Sequence, residues 1–261
     1  MTGRLRTGIE RNMFVRSSGA GDSSDTILWI HGLGESGLCF EELVTATGLA
    51  HWLHLVPDLP GYGKSPWPRV PMSMLAYADM LGEWLQEDRK EPVVVAGHSM
   101  GGVIGTFLSE RFPGTVRAFV NIEGNISEED CTTSGQVAGH TRDSFMERGF
   151  EALLRTVYQA GSEDRSFRMY YPSLRFCDPR CLYLNSVELV ESSREETLAL
   201  RMRGLKIPTV YLSGDPGGAG ARSRSLLDRA GIRWIPVPDT GHWPFLDQPE
   251  TFTSLLLEEL P

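Results

Sequence analysis

Six short, nearly continuous apolar runs recur along the chain. They are TILWIHG from residue 26, HWLHLVPD from 51, PVVVAGHS from 92, VRAFVNIEG from 116, PTVYLSGD from 208 and IRWIPVPDTG from 232. Runs with so little polar alternation are typical of strands that are covered on both faces. The pattern therefore predicts six buried strands.

Between several of these runs, apolar residues repeat at helical spacing. The segment SMLAYADMLGEWLQEDR begins with Ser73 as a candidate cap and places Leu81 and Trp84 on one side. The segment MGGVIGTFLSERF ends before Pro113, which cannot continue a helix. This alternation predicts an α/β fold with a mostly parallel, doubly covered sheet and right-handed crossovers.

The alternation stops between residues 125 and 205. Apolar residues there, such as Phe145, Phe150, Leu153 and Val157, repeat at helical spacing, and the strand pattern resumes at Pro208. Because the sheet needs both flanking parts, we expect a helical cap (lid) inserted at 125–205. Residues 1–124 and 206–261 would together form the core domain.

Composition narrows the class of protein. The 261 residues are 41% hydrophobic and 23% charged, with a formal net charge of −9, which is typical of a globular protein. An acidic chain is a poor partner for nucleic acid or an anionic membrane. No apolar segment is long enough for a membrane span or a signal peptide, so we expect a cytoplasmic monomer or homodimer acting on a small molecule.

The run VVVAGHSMGG, residues 93–102, changes from β-branched residues to glycines around Ser99. A strand that turns so quickly into a helix strains the residue at the apex, and Gly97 and Gly101 make that turn sterically possible. The spacing Gly-x-Ser-x-Gly is common by itself. After a strand and before a helix, it predicts a nucleophilic serine held above the sheet.

A serine hydroxyl becomes a good nucleophile when a histidine accepts its proton and a carboxylate orients that histidine. His242 follows the last predicted strand, and Asp215 ends the strand PTVYLSGD. Both should therefore reach the same sheet edge as Ser99. The backbone N–H groups of Leu33, in the turn HGLGES, and of Met100 are the expected oxyanion-hole donors.

Together these motifs resemble cap-bearing proteins of the α/β-hydrolase fold over nearly the whole chain. The resemblance rests on HGLGES, PDLPGYGKS, GHSMGG, LSGD and TGHWPFLDQPE, in that order. Dehalogenases and epoxide hydrolases of this fold use an aspartate where this chain has Ser99. The resemblance therefore implies a serine hydrolase, of esterase, thioesterase or lactonase type, working through an acyl-enzyme.

Other serine-bearing members of this superfamily leave two alternatives open. A carbon–carbon bond hydrolase or lyase would use the same residues, and a ligand receptor on this fold would turn over very slowly. Fold alone does not decide among them. No metal or organic cofactor is implied, and activity should rise with pH through about 6.5 to 7 as His242 becomes neutral.

The acid of the triad has two candidates. Asp215 is favoured because the resemblance gives it the commoner position, but Glu123 ends the preceding strand, where some relatives carry this residue. Glu123 is otherwise expected to support the site or line the pocket. His98 and His31 are expected to be packed and hydrogen-bonded, and Asp58 to fix a turn.

The predicted cap is rich in aromatic residues that could line an apolar or aromatic substrate pocket. Some of them must instead pack the cap onto the core. The set comprises Phe145, Phe150, Tyr158, Phe167, Tyr170, Tyr171 and Phe176.

Overall fold

The computed structural model describes residues 5–19 and 25–261. These residues form an eight-stranded sheet in the order β1-β2-β4-β3-β5-β6-β7-β8. The strands are β1 (Arg6–Glu10), β2 (Met13–Ser18), β3 (Thr26–Ile30), β4 (Leu53–Pro57), β5 (Val93–His98), β6 (Val116–Ile122), β7 (Thr209–Pro216) and β8 (Arg233–Thr240).

Strands β3 to β8 are parallel, whereas β1 and β2 add an antiparallel hairpin at one edge. The six parallel strands are those that the apolar runs predict, so the predicted fold class is confirmed. The hairpin was not predicted. Neither strand has a continuous apolar run: β1 (RTGIE) is largely exposed, and β2 (MFVRSS) is mostly buried but ends in Arg16, Ser17 and Ser18.

Helices cover the sheet and fill the interval between β6 and β7. They are α1 (Glu41–Val44), α2 (Met74–Asp88), α3 (Met100–Arg111), α4 (Thr132–Ala138), α5 (Arg142–Ser144), α6 (Phe150–Ala160), α7 (Arg165–Arg175), α8 (Pro179–Arg194), α9 (Leu198–Gly204), α10 (Ala221–Ala230), α11 (Pro244–Asp247) and α12 (Pro249–Glu259). We call residues 125–205, which contain α4 to α9, the helical segment. Its separation from the core as a cap stays a prediction.

Local sequence explains where two of the helices begin. Ser73 caps α2 by accepting a hydrogen bond from the Ala76 N–H at 3.1 Å, as its sequence predicts. Asp164 caps α7 in the same way, with its carboxylate accepting from the Ser166 and Phe167 N–H groups. These caps fix where α2 and α7 begin.

The core lies on both faces of the sheet. Successive residues of β3 alternate between the faces: Leu28 and Ile30 join one apolar cluster, and Ile27 and Trp29 join the other. All four side chains are fully buried. The continuous apolar runs in the sequence therefore correspond to strands with a core on each face. Polar groups are left to the carboxyl ends of these strands.

A buried ion pair holds the turn after β4. Asp58, fully buried, accepts a hydrogen bond from the buried Arg16 guanidinium at 2.5 Å. The same carboxylate accepts from the Gly37 N–H at 2.7 Å and the Lys64 N–H at 2.8 Å. Asp58 therefore joins β2, the segment after β3 and its own turn, which agrees with the structural role expected from the sequence.

Within the described residues all four cysteines are free, and Cys39, Cys177 and Cys181 are buried. No helix in residues 5–19 and 25–261 is long and apolar enough to cross a bilayer. The expectation about a signal peptide concerns the start of the chain, of which residues 1–4 lie outside the described part.

We expect Asp58→Ala to lower the free energy of unfolding by about 3–5 kcal/mol, because Arg16 would remain buried without its partner. Glu41 also approaches Arg16, at 3.5 Å, but Glu41 is partly exposed and interacts more weakly. Urea denaturation measures the loss. The matched control is Asp79→Ala, which breaks the more exposed pair with Arg111 and should cost less than about 1 kcal/mol. Equal losses would contradict this assignment.

Candidate active site

Ser99 occupies a sharp turn between β5 and α3. Its backbone angles are φ 50° and ψ −119°, a region that residues other than glycine rarely adopt. A Cβ atom on Gly101 would lie 2.1 Å from the Ile30 carbonyl oxygen, and one on Gly97 would lie 2.2 Å from the Gly101 carbonyl oxygen. Glycines at 97 and 101 therefore allow backbones to touch where Ser99 leaves the sheet.

The turn after β3 lies directly against this serine. A Cβ atom on Gly32 would be 3.0 Å from the Ser99 Cβ, so Gly32 also needs to be glycine for this close approach. The carbonyl of Leu33 accepts a hydrogen bond from the Tyr170 hydroxyl at 3.0 Å. Within the described residues, the N–H groups of Leu33 and Met100 make no hydrogen bond. Both remain available as the donors expected from the sequence.

His242 reaches the same place from the loop after β8. Its Nδ1 lies 3.3 Å from Oε2 of Glu123, and both His242 and Ser99 line one cavity. No hydrogen bond joins Ser99 to His242 among the described residues. The structure thus gathers the predicted nucleophile and base around a shared space, with a carboxylate on the far side of the imidazole.

Glu123 is held rigidly in this position. It follows β6 with a φ of 53°, and its side chain is buried. Its Oε1 accepts hydrogen bonds from the Gly214 N–H at 2.8 Å and the Ala219 N–H at 3.1 Å. Only Oε2 is left to face His242.

The prediction that Asp215 contacts His242 is wrong. Asp215 still belongs to β7, in register with Pro238 of β8, and about half of its side chain is exposed. Its Oδ1 lies 3.4 Å from Nη2 of Arg224 in α10. The strand directs Asp215 toward α10, while Glu123 fills the space behind His242. Both carboxylates follow parallel strands, so sequence position alone did not separate them.

The proton affinity of His242 reflects these neighbours. Burial alone lowers the pKa of His242, but the hydrogen bond and charge of Glu123, with smaller contributions from Glu35 and Asp130, raise it above its usual value. A histidine with a raised pKa is a stronger base once it is neutral.

Glu35 is a functional candidate that the sequence reasoning missed. It is buried at the floor of the cavity, where Oε1 accepts from the Trp243 indole N–H at 2.6 Å and Oε2 accepts from the Gly32 N–H at 2.7 Å. Its Oε2 also lies 3.0 Å from Nδ1 of His98. The only signal in the sequence was an acidic residue inside the turn HGLGES.

The cavity around Ser99 has a volume of about 300 Å³. Aromatic rings and the side chains of Leu33 and Leu189 form the apolar part of its wall, and hydroxyl and carboxyl groups form most of the polar part. None of the described residues that line it is a lysine or arginine. The aromatic set is Phe167, Tyr170 and Trp243, the hydroxyl set is Ser99, Thr132, Thr133, Ser134, Ser166 and Tyr170, and the carboxyl set is Glu35, Asp130, Asp164 and Asp247.

This wall mixes apolar and polar groups, whereas the sequence leads us to expect an apolar or aromatic pocket. Of the aromatic residues singled out there, only Phe167 and Tyr170 line the cavity. Phe145 and Phe150 are buried by packing within the helical segment, and Phe176 is largely exposed. Helical spacing identified a buried face but not the cavity that the face borders.

No group of three or more histidine, cysteine, aspartate or glutamate side chains within residues 5–19 and 25–261 is arranged to hold a metal ion.

Comparison with known sequences gives a broad match. A sequence model described as "Alpha/beta hydrolase family" matches residues 27–255. The pimeloyl-[acyl-carrier protein] methyl ester esterase of Neisseria meningitidis serogroup B is 23% identical over 247 residues, which cover 90% of this chain and 92% of that protein. Lipase LipV of Mycobacterium tuberculosis is 36% identical over 101 residues, 37% of this chain and 36% of that protein.

Solved structures show the same architecture. A variant of the N-acyl homoserine lactonase AidH, complexed with N-hexanoyl homoserine, is similar with a TM-score of 0.74 and 21% identity, covering 98% of this chain and 96% of that one. A thermophilic esterase from Thermogutta terrifontis has a TM-score of 0.76 and 17% identity, covering 98% and 97%. At these identities, the likeness establishes the shared fold.

The geometry predicts how His242 titrates in two matched variants. Glu123→Gln removes the negative charge beside Nδ1 but keeps an oxygen for Gly214 and Ala219, so we expect the pKa of His242 to fall by about 1 unit. Asp215→Asn should leave it unchanged, since Asp215 faces Arg224. NMR titration of the His242 ring, assigned with His242→Gln, measures both. Equal shifts in the two variants would contradict the assigned contact.

Proposed function

Because this chain belongs to the alpha/beta hydrolase family, we propose that it is a serine hydrolase that cleaves a small carboxylic ester through an acyl-enzyme. One observation carries the proposal: Ser99, in its strained turn, shares a cavity with His242, whose other nitrogen meets the buried carboxylate of Glu123. That arrangement provides a nucleophile, a base and an orienting acid.

In the first half of the reaction, Nε2 of His242 accepts the Ser99 proton as Oγ attacks the ester carbonyl carbon. Glu123 accepts the Nδ1–H hydrogen bond, which fixes the tautomer, and its charge stabilises the imidazolium that forms. The N–H groups of Leu33 and Met100 stabilise the negative charge on the carbonyl oxygen. The carbon–oxygen ester bond then breaks, and His242 returns the proton to the leaving alcohol.

In the second half, water takes the place of the alcohol. His242 accepts a proton from this water, whose oxygen attacks the acyl carbon. The bond to Ser99 Oγ breaks, Oγ regains the proton from His242, and the carboxylic acid leaves. No group outside the chain, the ester and water is needed to balance either half.

The cavity wall supports a particular kind of substrate. Phe167 and Trp243 offer contacts to an apolar part, while hydroxyl groups such as those of Thr132 and Ser134 offer hydrogen bonds to a neutral polar part. The lining carboxylates have no lysine or arginine beside them among the described cavity residues, so an anionic acyl group is disfavoured. A panel of candidate substrates should contain esters and thioesters. It should also contain methyl esters and lactones, because the names of two similar proteins mention a methyl ester and a lactone.

We expect Ser99→Ala to abolish hydrolysis of a 4-nitrophenyl ester, together with covalent labelling by a fluorophosphonate. The matched control is Ser134→Ala, because Ser134 carries a hydroxyl in the same cavity but lacks the strained turn. It should keep both labelling and turnover within about tenfold. Release of 4-nitrophenolate and intact-protein mass spectrometry are the measurements. Phosphonate attached elsewhere than Ser99 would overturn the nucleophile assignment.

A pair of near-isosteric esters tests the charge preference of the cavity. We expect kcat/KM for mono(4-nitrophenyl) glutarate to be at least about tenfold lower than for 4-nitrophenyl 5-methylhexanoate, because the former brings a carboxylate near the acidic wall. The difference should shrink as salt rises. Faster hydrolysis of the charged ester would contradict the proposed substrate class.

Two other functions are separated by the same measurements. A carbon–carbon bond hydrolase or lyase would label at Ser99 but act only weakly on every ester, thioester and lactone in the panel. A ligand receptor would turn over very slowly and show ligand-dependent movement of the helical segment. No feature of the described residues favours either over ester hydrolysis.

A further inference from the structure

The buried histidines differ in what their ring nitrogens face. His31 and His54 are fully buried, and each has one neighbouring N–H donor and one neighbouring carbonyl acceptor. Such a ring needs a single proton, because one nitrogen must donate and the other must accept. Burial lowers the pKa of both, to about 4 for His54. These two histidines are neutral.

His98, which precedes Ser99, has a different environment although it is equally buried. Its Nδ1 lies 3.0 Å from Oε2 of Glu35, and its Nε2 lies 2.7 Å from the backbone carbonyl oxygen of His242. A carbonyl oxygen can only accept a hydrogen bond, and so can an ionised carboxylate. Both ring nitrogens of His98 must therefore donate, which requires two protons and a positive charge.

Glu35 is ionised in this arrangement. Burial by itself raises the pKa of Glu35, but the charge and hydrogen bond of His98, together with the Trp243 and Gly32 N–H groups, lower it to about 2. The Cys39 thiol is a further weak donor, with its sulfur 3.6 Å from Oε2. Glu35 thereby accepts hydrogen bonds from four donors in separate parts of the chain. They lie in the turn after β3 (Gly32), just before α1 (Cys39), at the end of β5 (His98) and in the loop after β8 (Trp243).

We infer that Glu35 and His98 form a buried ion pair that positions His242 and keeps a fixed positive charge beside its ring. This inference rests on the proposed function, since it concerns the histidine that would act as base. His98 holds the His242 backbone through Nε2, and Glu35 holds the neighbouring Trp243. Both are positioning residues, because each acts through His242 or its loop.

The charges facing His242 come from several elements. Glu123, Glu35 and Asp130 favour its protonated form. The ring of His98 lies 4.8 Å from that of His242, between centroids, and its positive charge opposes protonation. The positive charge of His98 thus offsets the effect of the Glu35 charge on His242 and helps to keep His242 neutral when it must accept the Ser99 proton.

The unmodified protein provides the first test. In an ¹⁵N-detected NMR spectrum at pH 7, assigned with His98→Gln, both ring nitrogens of His98 should be protonated, whereas those of His31 and His54 should show one protonated and one bare nitrogen. A bare nitrogen on His98 would overturn the inference. This measurement needs no variant that might fold poorly.

Charge removal and compensation provide the second test. His98→Gln removes the positive charge, while the Trp243 and Gly32 N–H groups and the new side-chain amide N–H still donate to Glu35 and favour its ionised form. The pKa of His242 should therefore rise by roughly 1 unit. The acid limb of kcat/KM for a 4-nitrophenyl ester should move to higher pH by the same amount. The double variant Glu35→Gln/His98→Gln removes both charges and should bring the midpoint back to within roughly 0.3 units of the original.

His54→Gln is the matched control, since it replaces a buried, hydrogen-bonded but neutral histidine. It should leave the His242 midpoint unchanged, whatever it does to stability. A midpoint that does not move in His98→Gln, or that moves as far in His54→Gln, would overturn the inference. The NMR titration needs no turnover, so the two proposals can fail separately. Failure of ester hydrolysis would contradict only the proposed function. A neutral His98 in an active esterase would contradict only the ion pair.

Discussion

The close contact of backbones around Ser99 is the constraint on which the site depends. Gly101 touches the end of β3, Gly97 touches Gly101, and Gly32 lies against the serine itself. Side chains at these positions would push β3, β5 and α3 apart. The small spacing places a strained serine, two unused N–H groups and a histidine loop at one edge of the sheet. Strain in the Ser99 backbone is tolerated because the two buried apolar layers hold β3 and β5 on both faces.

The sequence was sufficient for the frame of the molecule. Continuous apolar runs identified all six parallel strands, and the glycines around Ser99 identified the turn, because strong local requirements leave strong local patterns. The β1–β2 hairpin was not predicted, since β1 is an exposed edge that needs no apolar run and β2 ends in three polar residues. The environment of His242 also lay beyond the sequence, because it depends on which of two strand-end carboxylates projects inward. Asp215 remains paired within β7, whereas Glu123 follows β6 with a positive φ that cannot be read from the sequence.

Carboxylates in this site do different work according to the donors that surround them. Glu123 is fixed by two backbone N–H groups and gives its second oxygen to His242. Glu35 faces a doubly protonated histidine and joins the segments on either side. Asp215, exposed beside Arg224, resembles an ordinary surface charge. Residue type therefore says less about role than burial and hydrogen-bond partners do, and the three glutamate and aspartate residues could not have been ranked without coordinates.

Tyr170 gives the helical segment a direct connection to the turn after β3. Its hydroxyl donates to the Leu33 carbonyl and lies over Gly34, where a side chain would collide with it. Elsewhere on α7, Ser166 donates to Asp247, the last residue of α11. The helix α7 thus spans the cavity from the Leu33 side to the His242 side. A displacement of α7 that widens the cavity would also break the hydrogen bond from Tyr170 to the Leu33 carbonyl. The backbone that carries the Leu33 N–H would then be held less firmly. Access for a bulky molecule and a well-ordered donor at Leu33 therefore oppose each other.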